Sequence, residues 1–314
     1  MVIKYLSVCS GIEAATVAWH ELGWEPVAFS EIEPFPCKVL AHHYPNTPNW
    51  GDMTKFKEWP DATIDALVGG TPCQSFSVAG LRQGLEDPRG ELMLTYLAIA
   101  ARYRPRWVIW ENVPGVLSSN GGRDFGAFLG ALGQLGYGWA YRVLDAQWFG
   151  VAQRRRRVFV VGCLADQRSA AAVLFERESV RGLPAKERSE NAPDAGLGDE
   201  VRCLGCGVVW QPDGGIECCP MCRSLQSWAA QTCGTISDGA HMGGGLNGQD
   251  ANSGRLLVHT GFPRRLTPLE CERLQGFPDD YTNIPGAKDA PRYKALGNSM
   301  AVPCMRWIGE RICN

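Results

Sequence analysis

Several features that mark special classes of protein are scarce in this sequence. Charged residues make up only 20% of the 314 positions, and 31 Lys and Arg nearly balance 33 Asp and Glu, for a net charge of −2. Without an overall positive field the molecule cannot hold nucleic acid nonspecifically, so such binding needs local patches. No apolar run is long enough to cross a bilayer, and we expect no membrane partner.

We expect no secretory leader either, because Met1 leads directly into a strand-like segment and not into a basic region followed by an apolar one. Cysteine is plentiful, with 13 residues. An odd number without a leader argues against a disulfide framework and for reduced thiols, catalysis or metal binding. The hydrophobic fraction of 45% excludes disordered, collagen-like and coiled-coil classes. We therefore predict an intracellular, cytoplasmic protein.

The first half of the chain alternates short apolar runs with longer amphipathic ones. This pattern predicts an α/β fold with an open, mostly parallel sheet, in which ligands bind beyond the carboxyl ends of the strands. Polar, cysteine-rich and glycine-rich stretches then replace it, and regularity returns after Pro263. We predict a core at 1–165, a variable insert at 166–262 and a return to the core at 263–314. The predicted elements are strands at 4–9, 26–31, 65–69, 107–110 and 158–163, and helices at 13–22, 34–43, 90–102, 124–135, 268–275 and 300–312.

Cys73 is the first candidate for chemistry. It stands on a loop after an apolar strand, a glycine pair and Pro72. A thiol at the carboxyl end of a strand, with a proline restricting the backbone before it, has the position of an active-site nucleophile. A buried structural cysteine is the alternative.

Two further strands carry charge at their ends. Glu111 and Asn112 close one apolar strand, and a run of four arginines, 154–157, opens another. A carboxylate leaving the core is either solvated or functional, and Asn also suits a surface turn. Alternate residues of a strand share a face, so Arg155 and Arg157 point one way. Four positive charges require carboxylates or phosphates unless the run is a solvated basic face.

Nine short motifs follow one another along the chain. They are Tyr5-Leu6-Ser7-Val8-Cys9-Ser10-Gly11, Phe29-Ser30-Glu31-Ile32-Glu33, Gly51-Asp52-Met53, Pro72-Cys73-Gln74, Glu111-Asn112-Val113, Gln153-Arg154-Arg155-Arg156-Arg157, Arg265-Leu266-Thr267-Pro268, Gln275-Gly276-Phe277-Pro278 and Gly297-Asn298-Ser299-Met300. In this order they resemble the DNA cytosine-5 methyltransferase family of bacteria and phages. The resemblance covers 1–165 and 263–314. It implies the Rossmann-like sheet of S-adenosylmethionine-dependent methyltransferases with a smaller, irregular target-recognition domain.

The resemblance implies a DNA (cytosine-5-)-methyltransferase. Such an enzyme moves a methyl group from S-adenosylmethionine to carbon 5 of a cytosine flipped out of double-stranded DNA. Cys73 would add to carbon 6 of the ring, and Glu111 would bind the ring's N3 and exocyclic amine, where charge builds up. Arg155 and Arg157 would help to hold the flipped base and the catalytic loop.

The resemblance also implies a cofactor site. Glu31 would bind the ribose hydroxyls, and Asp52 with Met53 would contact adenine. Asn298 and Ser299 would close the methionine end. The full implied set is Ser10, Gly11, Glu31, Ile32, Asp52, Met53, Pro72, Asn298 and Ser299.

The opening motif departs from the family pattern. The family usually has Phe-x-Gly-x-Gly, whereas this chain has Cys9-Ser10-Gly11-Ile12-Glu13. The aromatic residue and the second glycine are therefore both replaced, which affects adenine stacking and the tightness of the loop.

The insert contains two Cys-x2-Cys knuckles twelve residues apart. This spacing fits four thiolates around one tetrahedral zinc, and we predict a zinc ribbon at 203–222 within the target-recognition region. A full set of protein ligands leaves no open position, so the zinc would be structural. Cys218 is an alternative to Cys219, and a reduced, metal-free loop is the alternative to the whole site. The predicted ligands are Cys203, Cys206, Cys219 and Cys222.

Other functions stay open from the sequence. One is a tRNA cytosine-5 methyltransferase with the same motifs, and another is a catalytically silent DNA-binding homologue, against which the intact Cys73 and Glu111 argue. A zinc-ribbon binding module does not explain charged residues at the ends of successive strands. The resemblance allows a cognate restriction nuclease as a partner in a bacterial or phage-infected cell, and we predict a monomer.

Overall fold

The computed structural model describes residues 2–71, 92–175, 201–202, 209–210, 256–259 and 262–313. Pro72 and Cys73 and the four predicted zinc ligands lie outside the described residues, so the predictions for them stay predictions.

A six-stranded mixed sheet forms the centre of the described structure. Its strands are β1 (Lys4–Val8), β2 (Glu25–Ser30), β3 (Ala66–Gly69), β4 (Trp107–Asn112), β5 (Tyr137–Asp145) and β6 (Arg156–Leu164). Their order is β2-β1-β3-β4-β6-β5. Neighbours from β2 to β4 are parallel, whereas β6 runs antiparallel to both β4 and β5. The predicted α/β sheet is confirmed, with β6 as its antiparallel member.

Helices cover both faces of this sheet. The described helices are α1 (Ala14–Trp19), α2 (Pro34–His43), α3 (Leu92–Tyr103), α4 (Arg123–Gln134), α5 (Gln167–Leu174), α6 (Pro268–Gln275), α7 (Asp289–Asn298) and α8 (Val302–Cys313). Because successive strand residues point to opposite faces, β4 serves two cores. Val108 and Trp110 pack with α3 and α4, and Trp107 and Ile109 pack with α1, α5 and α8.

The last helix packs against the first. Trp19 of α1 is fully buried, and its Nε1 donates a hydrogen bond to the carbonyl of Met305 in α8 at 2.7 Å. A Cβ on Gly309 would lie 2.5 Å from the same Nε1, so only glycine allows this approach. The segment after the insert therefore completes the core that the first strands begin.

Two strand pairs are described between β6 and α6. One joins β7 (Val201–Arg202) to β8 (Val209–Trp210), and the other joins β9 (Leu256–His259) to β10 (Phe262–Arg265). Both are antiparallel. Across the described ranges, no helix combines the length and the apolar character that a bilayer crossing needs.

Candidate active site

The predicted site residues meet at one edge of the sheet. The carboxyl ends of β1 to β4 lie at this edge because these strands are parallel, and the antiparallel β6 begins there. This arrangement places the cofactor motifs at β1 and β2, and the Glu111 and arginine motifs at β4 and β6. The structure thus brings together the described parts of the predicted site.

Glu111 lies near the end of β4 and is 9% exposed. Its Oε1 is 3.1 Å from Nε of Arg157, which enters from the start of β6. This ion pair lacks hydrogen-bond geometry, and within the described ranges Oε1 accepts no hydrogen bond. Burial raises the pKa of Glu111, and Arg157 and then Arg155 oppose that rise. The carboxyl is therefore buried, and one of its oxygens accepts no hydrogen bond from the described residues.

The four arginines alternate between exposed and inward-facing positions, as expected for residues in a strand. Arg154 and Arg156 are exposed, whereas Arg157 is half-buried and Arg155 is 2% exposed. Burial, followed by the charge of Arg157, lowers the pKa of Arg155 to about 9, and Glu111 opposes this shift. The run is therefore not a solvated basic face, since two of its members turn inward toward Glu111.

Arg155 joins the arginine run to the last motif. Its Nη2 donates to the carbonyls of Gly297 at 3.0 Å and Ser299 at 2.6 Å. Its backbone N–H donates to Asp145 Oδ1 at 2.8 Å. These contacts hold the end of α7, where Asn298 is exposed and Ser299 is buried. Arg155 thereby positions the segment predicted to close the methionine end of the cofactor.

Two contacts from β4 hold the backbone before Pro72. Trp110 Nε1 donates to Thr71 Oγ1 at 2.9 Å, and Asn112 Nδ2 donates to the Thr71 carbonyl at 2.8 Å. The roles of Trp110 and Thr71 were not predicted, because neither residue belongs to a recognisable motif. Asn112 is a buried link between strand ends and not a surface-turn residue.

Gly70 lies directly against the Glu111 carboxyl. A Cβ at this position would be 3.0 Å from Glu111 Oε2 and 3.3 Å from Met300 Cε. A side chain at position 70 would therefore displace the Glu111 carboxyl. The glycine pair is visible in the sequence, but this reason for it is not.

At the carboxyl ends of β1 and β2, backbone N–H groups orient Glu31. Its Oε2 accepts from Gly11 N at 2.7 Å, and its Oε1 accepts from Ile32 N at 2.8 Å and Glu33 N at 2.7 Å. Ser10 Oγ accepts a hydrogen bond from the backbone N–H of Ser30, the last residue of β2, at 3.1 Å. The Ile32 side chain is 66% exposed, so it is free of the core.

Asp52 and Met53 follow at the next turn. Asp52 Oδ1 accepts hydrogen bonds from the backbone and hydroxyl of Thr54, which fixes its orientation. Met53 is buried, and its Sδ lies 3.4 Å from Cys9 Sγ. Burial and the nearby carboxylates raise the pKa of Cys9 to about 12, so this thiol stays protonated and is no rival nucleophile.

Among the residues that the structure describes, no group of three or more His, Cys, Asp or Glu side chains could hold a metal ion. The predicted zinc ligands lie outside that part of the chain, so the zinc ribbon stays a prediction.

The sheet and the site at its edge define a protein of the α/β class with a strand-end site. The family model for C-5 cytosine-specific DNA methylases matches residues 3–196 and 221–314. The chain belongs to this family. The Dnmt2 methyltransferase of S. pombe has a similar solved structure, with a TM-score of 0.64 and 18% identity, covering 97% of this chain and 96% of that one. At that identity the likeness supports the fold alone.

Curated relatives include phage and bacterial proteins. A protein of Escherichia phage P1 named DNA N-6-adenine-methyltransferase is 34% identical over 98% of this chain. The chain spans 61% of that relative's length. The type II methyltransferase M2.BsuMI of Bacillus subtilis is 28% identical over 99% of this chain and 75% of its own length. The base in the first name, adenine, differs from the cytosine of the family description.

Proposed function

We propose that this protein transfers a methyl group from S-adenosylmethionine to carbon 5 of a flipped cytosine in a specific sequence of double-stranded DNA. The observation that carries the proposal is the Glu111 carboxyl, which is buried at the strand-end edge, ion-paired with Arg157 and open for hydrogen bonding at Oε1. A buried polar atom with no partner costs free energy, which a bound ligand with a matching donor recovers.

Cytosine chemistry explains why this carboxyl is needed. Carbon 5 is a weak nucleophile until a thiolate adds to carbon 6, and in our proposal Cys73 supplies that thiolate. Electron density then builds up at N3, which a protonated Glu111 neutralises while its other oxygen accepts from the exocyclic amine. Burial raises the pKa of Glu111 and so favours the protonated form that this step uses. Carbon 5 would then take the methyl group as its bond to sulfur breaks, which leaves S-adenosylhomocysteine. Loss of the carbon 5 proton to water, return of the N3 proton to Glu111 and expulsion of the thiolate then restore the aromatic ring.

The residues at the ends of β1 and β2 fit the cofactor. Glu31 is already oriented by three backbone donors, so its carboxylate can receive ribose hydroxyls with little reorganisation. Asp52 and Met53 supply a polar and an apolar contact for adenine, and Ser299 is held in place by Arg155. S-adenosylmethionine supplies the methyl group and a positive sulfonium when bound.

The test is transfer of labelled methyl to duplex DNA and to tRNA, with mass spectrometry of the digested nucleosides. We expect 5-methylcytosine in DNA from the wild type and none from Cys73→Ser. The matched control is Cys163→Ser, because Cys163 is buried in β6 away from the strand-end edge. Methylation of tRNA alone, or N6-methyladenine in the DNA, would replace the proposed reaction, and no transfer by folded protein would favour a silent homologue.

We propose further that residues 166–262 read the DNA target and that a zinc ribbon at 203–222 stiffens them. The support is the knuckle spacing of the four cysteines, which suits tetrahedral zinc. Elemental analysis of purified protein should find about one zinc per chain, as expected for one four-thiolate site. A Cys203→Ser, Cys222→Ser double variant should lose the zinc, and zinc-free wild type that still selects its DNA sequence would contradict the proposal. The type II name of the Bacillus relative supports a place in restriction–modification.

A further inference from the structure

Glu13 is a buried carboxyl that the mechanism above does not use. It is 1% exposed and is the last residue of the loop that joins β1 to α1. Its Oε2 accepts from Ser7 Oγ at 2.8 Å, and its Oε1 accepts from the N–H of Thr16 at 3.2 Å and the hydroxyl of Thr16 at 3.1 Å. One side chain thus ties β1 to the first turn of α1.

The backbone of Glu13 is as unusual as its burial. Its φ is 66°, in the left-handed region that residues with a Cβ rarely adopt. The hydrogen bonds of its side chain hold this conformation without a glycine. The same loop is held from its other side, because Gly11 N donates to Glu31. Glu13 thus ties the two flanks of the loop together, and Glu31 holds the backbone of the loop itself.

Glu13 can be either protonated or ionised near neutral pH, and four ionisable groups face it. They are Tyr5 on β1, Tyr44 after α2, Tyr281 after α6 and Glu31 after β2. Burial raises the pKa of Glu13 to about 7, the hydrogen bonds from Ser7 and Thr16 oppose the rise, and Glu31 adds to it. The three tyrosines have raised pKa values, so they stay neutral at pH 7.

We propose that Glu13 is a positioning residue for the cofactor, whose buried carboxylate holds the 9–13 loop and places a negative charge behind the site of a cationic methyl donor. This inference rests on the proposed function and deepens it. Glu13 acts through the loop and through its charge, without touching the reacting atoms.

The charge has a consequence that can be measured. A bound sulfonium favours ionised Glu13, so binding releases a proton and strengthens as the pH rises through about 7. S-adenosylhomocysteine has the same scaffold without the positive sulfur, so its binding should lack this dependence. Without cofactor, the free energy of unfolding depends on pH in the opposite direction, because it falls as the pH rises. The folded pKa lies above the reference value of 4.5, so the contribution of Glu13 is full below pH 4.5 and is lost as the pH rises through about 7.

The test is calorimetric binding of S-adenosylmethionine and S-adenosylhomocysteine to the whole protein from pH 6 to pH 8. For wild type we expect the affinity for S-adenosylmethionine to rise about tenfold over this range, and for Glu13→Gln to change less than about twofold. Ser7→Ala removes a hydrogen bond to the ionised carboxyl, so it should move the binding midpoint to higher pH. Thermal unfolding at each pH serves as the structural readout, and Glu13→Gln should lose less stability than wild type between pH 5 and pH 8.

The possible outcomes distinguish failure of the role of Glu13 from failure of the proposed function. If wild type binds both ligands but Glu13→Gln keeps the same pH dependence for S-adenosylmethionine, the role of Glu13 is overturned and the proposed function stands. An equal pH dependence for the two ligands would also overturn it, because the positive sulfur then plays no part. If folded wild type binds neither ligand, the proposed function fails and this inference fails with it. Should Glu13→Gln not fold, the midpoint shift in Ser7→Ala decides the question.

Discussion

At the scale of single residues, the pairing of Glu111 with Arg157 depends on strand register. Glu111 lies opposite Phe159 on the antiparallel β6, so Arg157 is two positions along and on the same face. The sequence predicted both residues as site members and predicted that Arg155 and Arg157 share a face. It could not predict their contact with Glu111, because register between distant strands is set by packing and not by spacing.

We expect Glu111→Gln to lower the rate of methyl transfer about 100-fold or more, since it removes the proton donor at the developing charge. Steady-state kinetics with folded protein would measure this. Glu272→Gln is the matched control, because Glu272 is also a buried carboxyl paired with an arginine, Arg292, at 3.2 Å. The control should lose stability but keep its turnover rate, and an equal loss of turnover in both variants would contradict the role of Glu111.

Arg155→Ala should destabilise the protein by about 3 kcal/mol, because it removes buried hydrogen bonds to two carbonyls at the end of α7. Urea unfolding measures the loss. The KM for S-adenosylmethionine should also rise, since Ser299 loses its support. Arg156→Ala removes an exposed neighbour and should stay within about 0.5 kcal/mol of wild type. Similar stabilities for the two variants would exclude the positioning role of Arg155.

At the scale of elements, hydrophobic patterning predicted the buried strands and missed β5, α5, α7 and the short strands β7 to β10. The strands β1, β2, β3, β4 and β6 and the helices α1, α2, α3, α4, α6 and α8 appear where expected, with bounds that differ by a few residues. The edge strand β5 was missed because it contains Gly138 and is only partly buried, which weakens its pattern. The helix α5 falls at the predicted domain boundary. The helix α7 contains Pro291, which is tolerated because it lies in the first turn, where no N–H has an intrahelical partner.

The close contact between Gly70, which follows β3, and Glu111 on β4 can be tested by substitution. Gly70→Ala should lower methyl transfer by about tenfold or more, because its Cβ would meet Glu111 Oε2 and a shift of ~1 Å in a catalytic group is costly. Gly126→Ala is the control. It lies within α4 with open space at its Cβ, so alanine should raise the free energy of unfolding by about 0.5–1 kcal/mol without affecting turnover. Full activity of Gly70→Ala would show that this approach is unimportant.

At the scale of the whole molecule, the order of motifs predicted that one edge of the sheet would collect them. Parallel strands present their carboxyl ends together, and this rule placed the Ser10, Glu31 and Glu111 motifs correctly. The arginine run needed a further fact, that β6 is antiparallel and starts at this edge. After the insert the chain packs back onto the core through contacts such as that of Trp19 with Met305. These residues are far apart in sequence, so local patterns cannot reveal that they meet.

This closing contact can be tested directly. Trp19→Phe should lower the free energy of unfolding by about 1–3 kcal/mol, because it opens a cavity and leaves the Met305 carbonyl without its donor. Trp148→Phe is the matched control, since Trp148 is 79% exposed and the same change should have little effect there. Equal stability of the two variants would mean that α8 does not depend on α1.

The most direct test of the whole account is covalent trapping on DNA. A duplex carrying 5-fluorocytosine at the methylated position lets the thiolate add and the methyl group transfer, but fluorine cannot leave as a proton does, so the adduct persists. We predict a denaturation-resistant complex of wild type with this duplex in the presence of S-adenosylmethionine, with the crosslink at Cys73, and none with Cys73→Ser. Wild type that methylates ordinary DNA but forms no such complex would contradict the account.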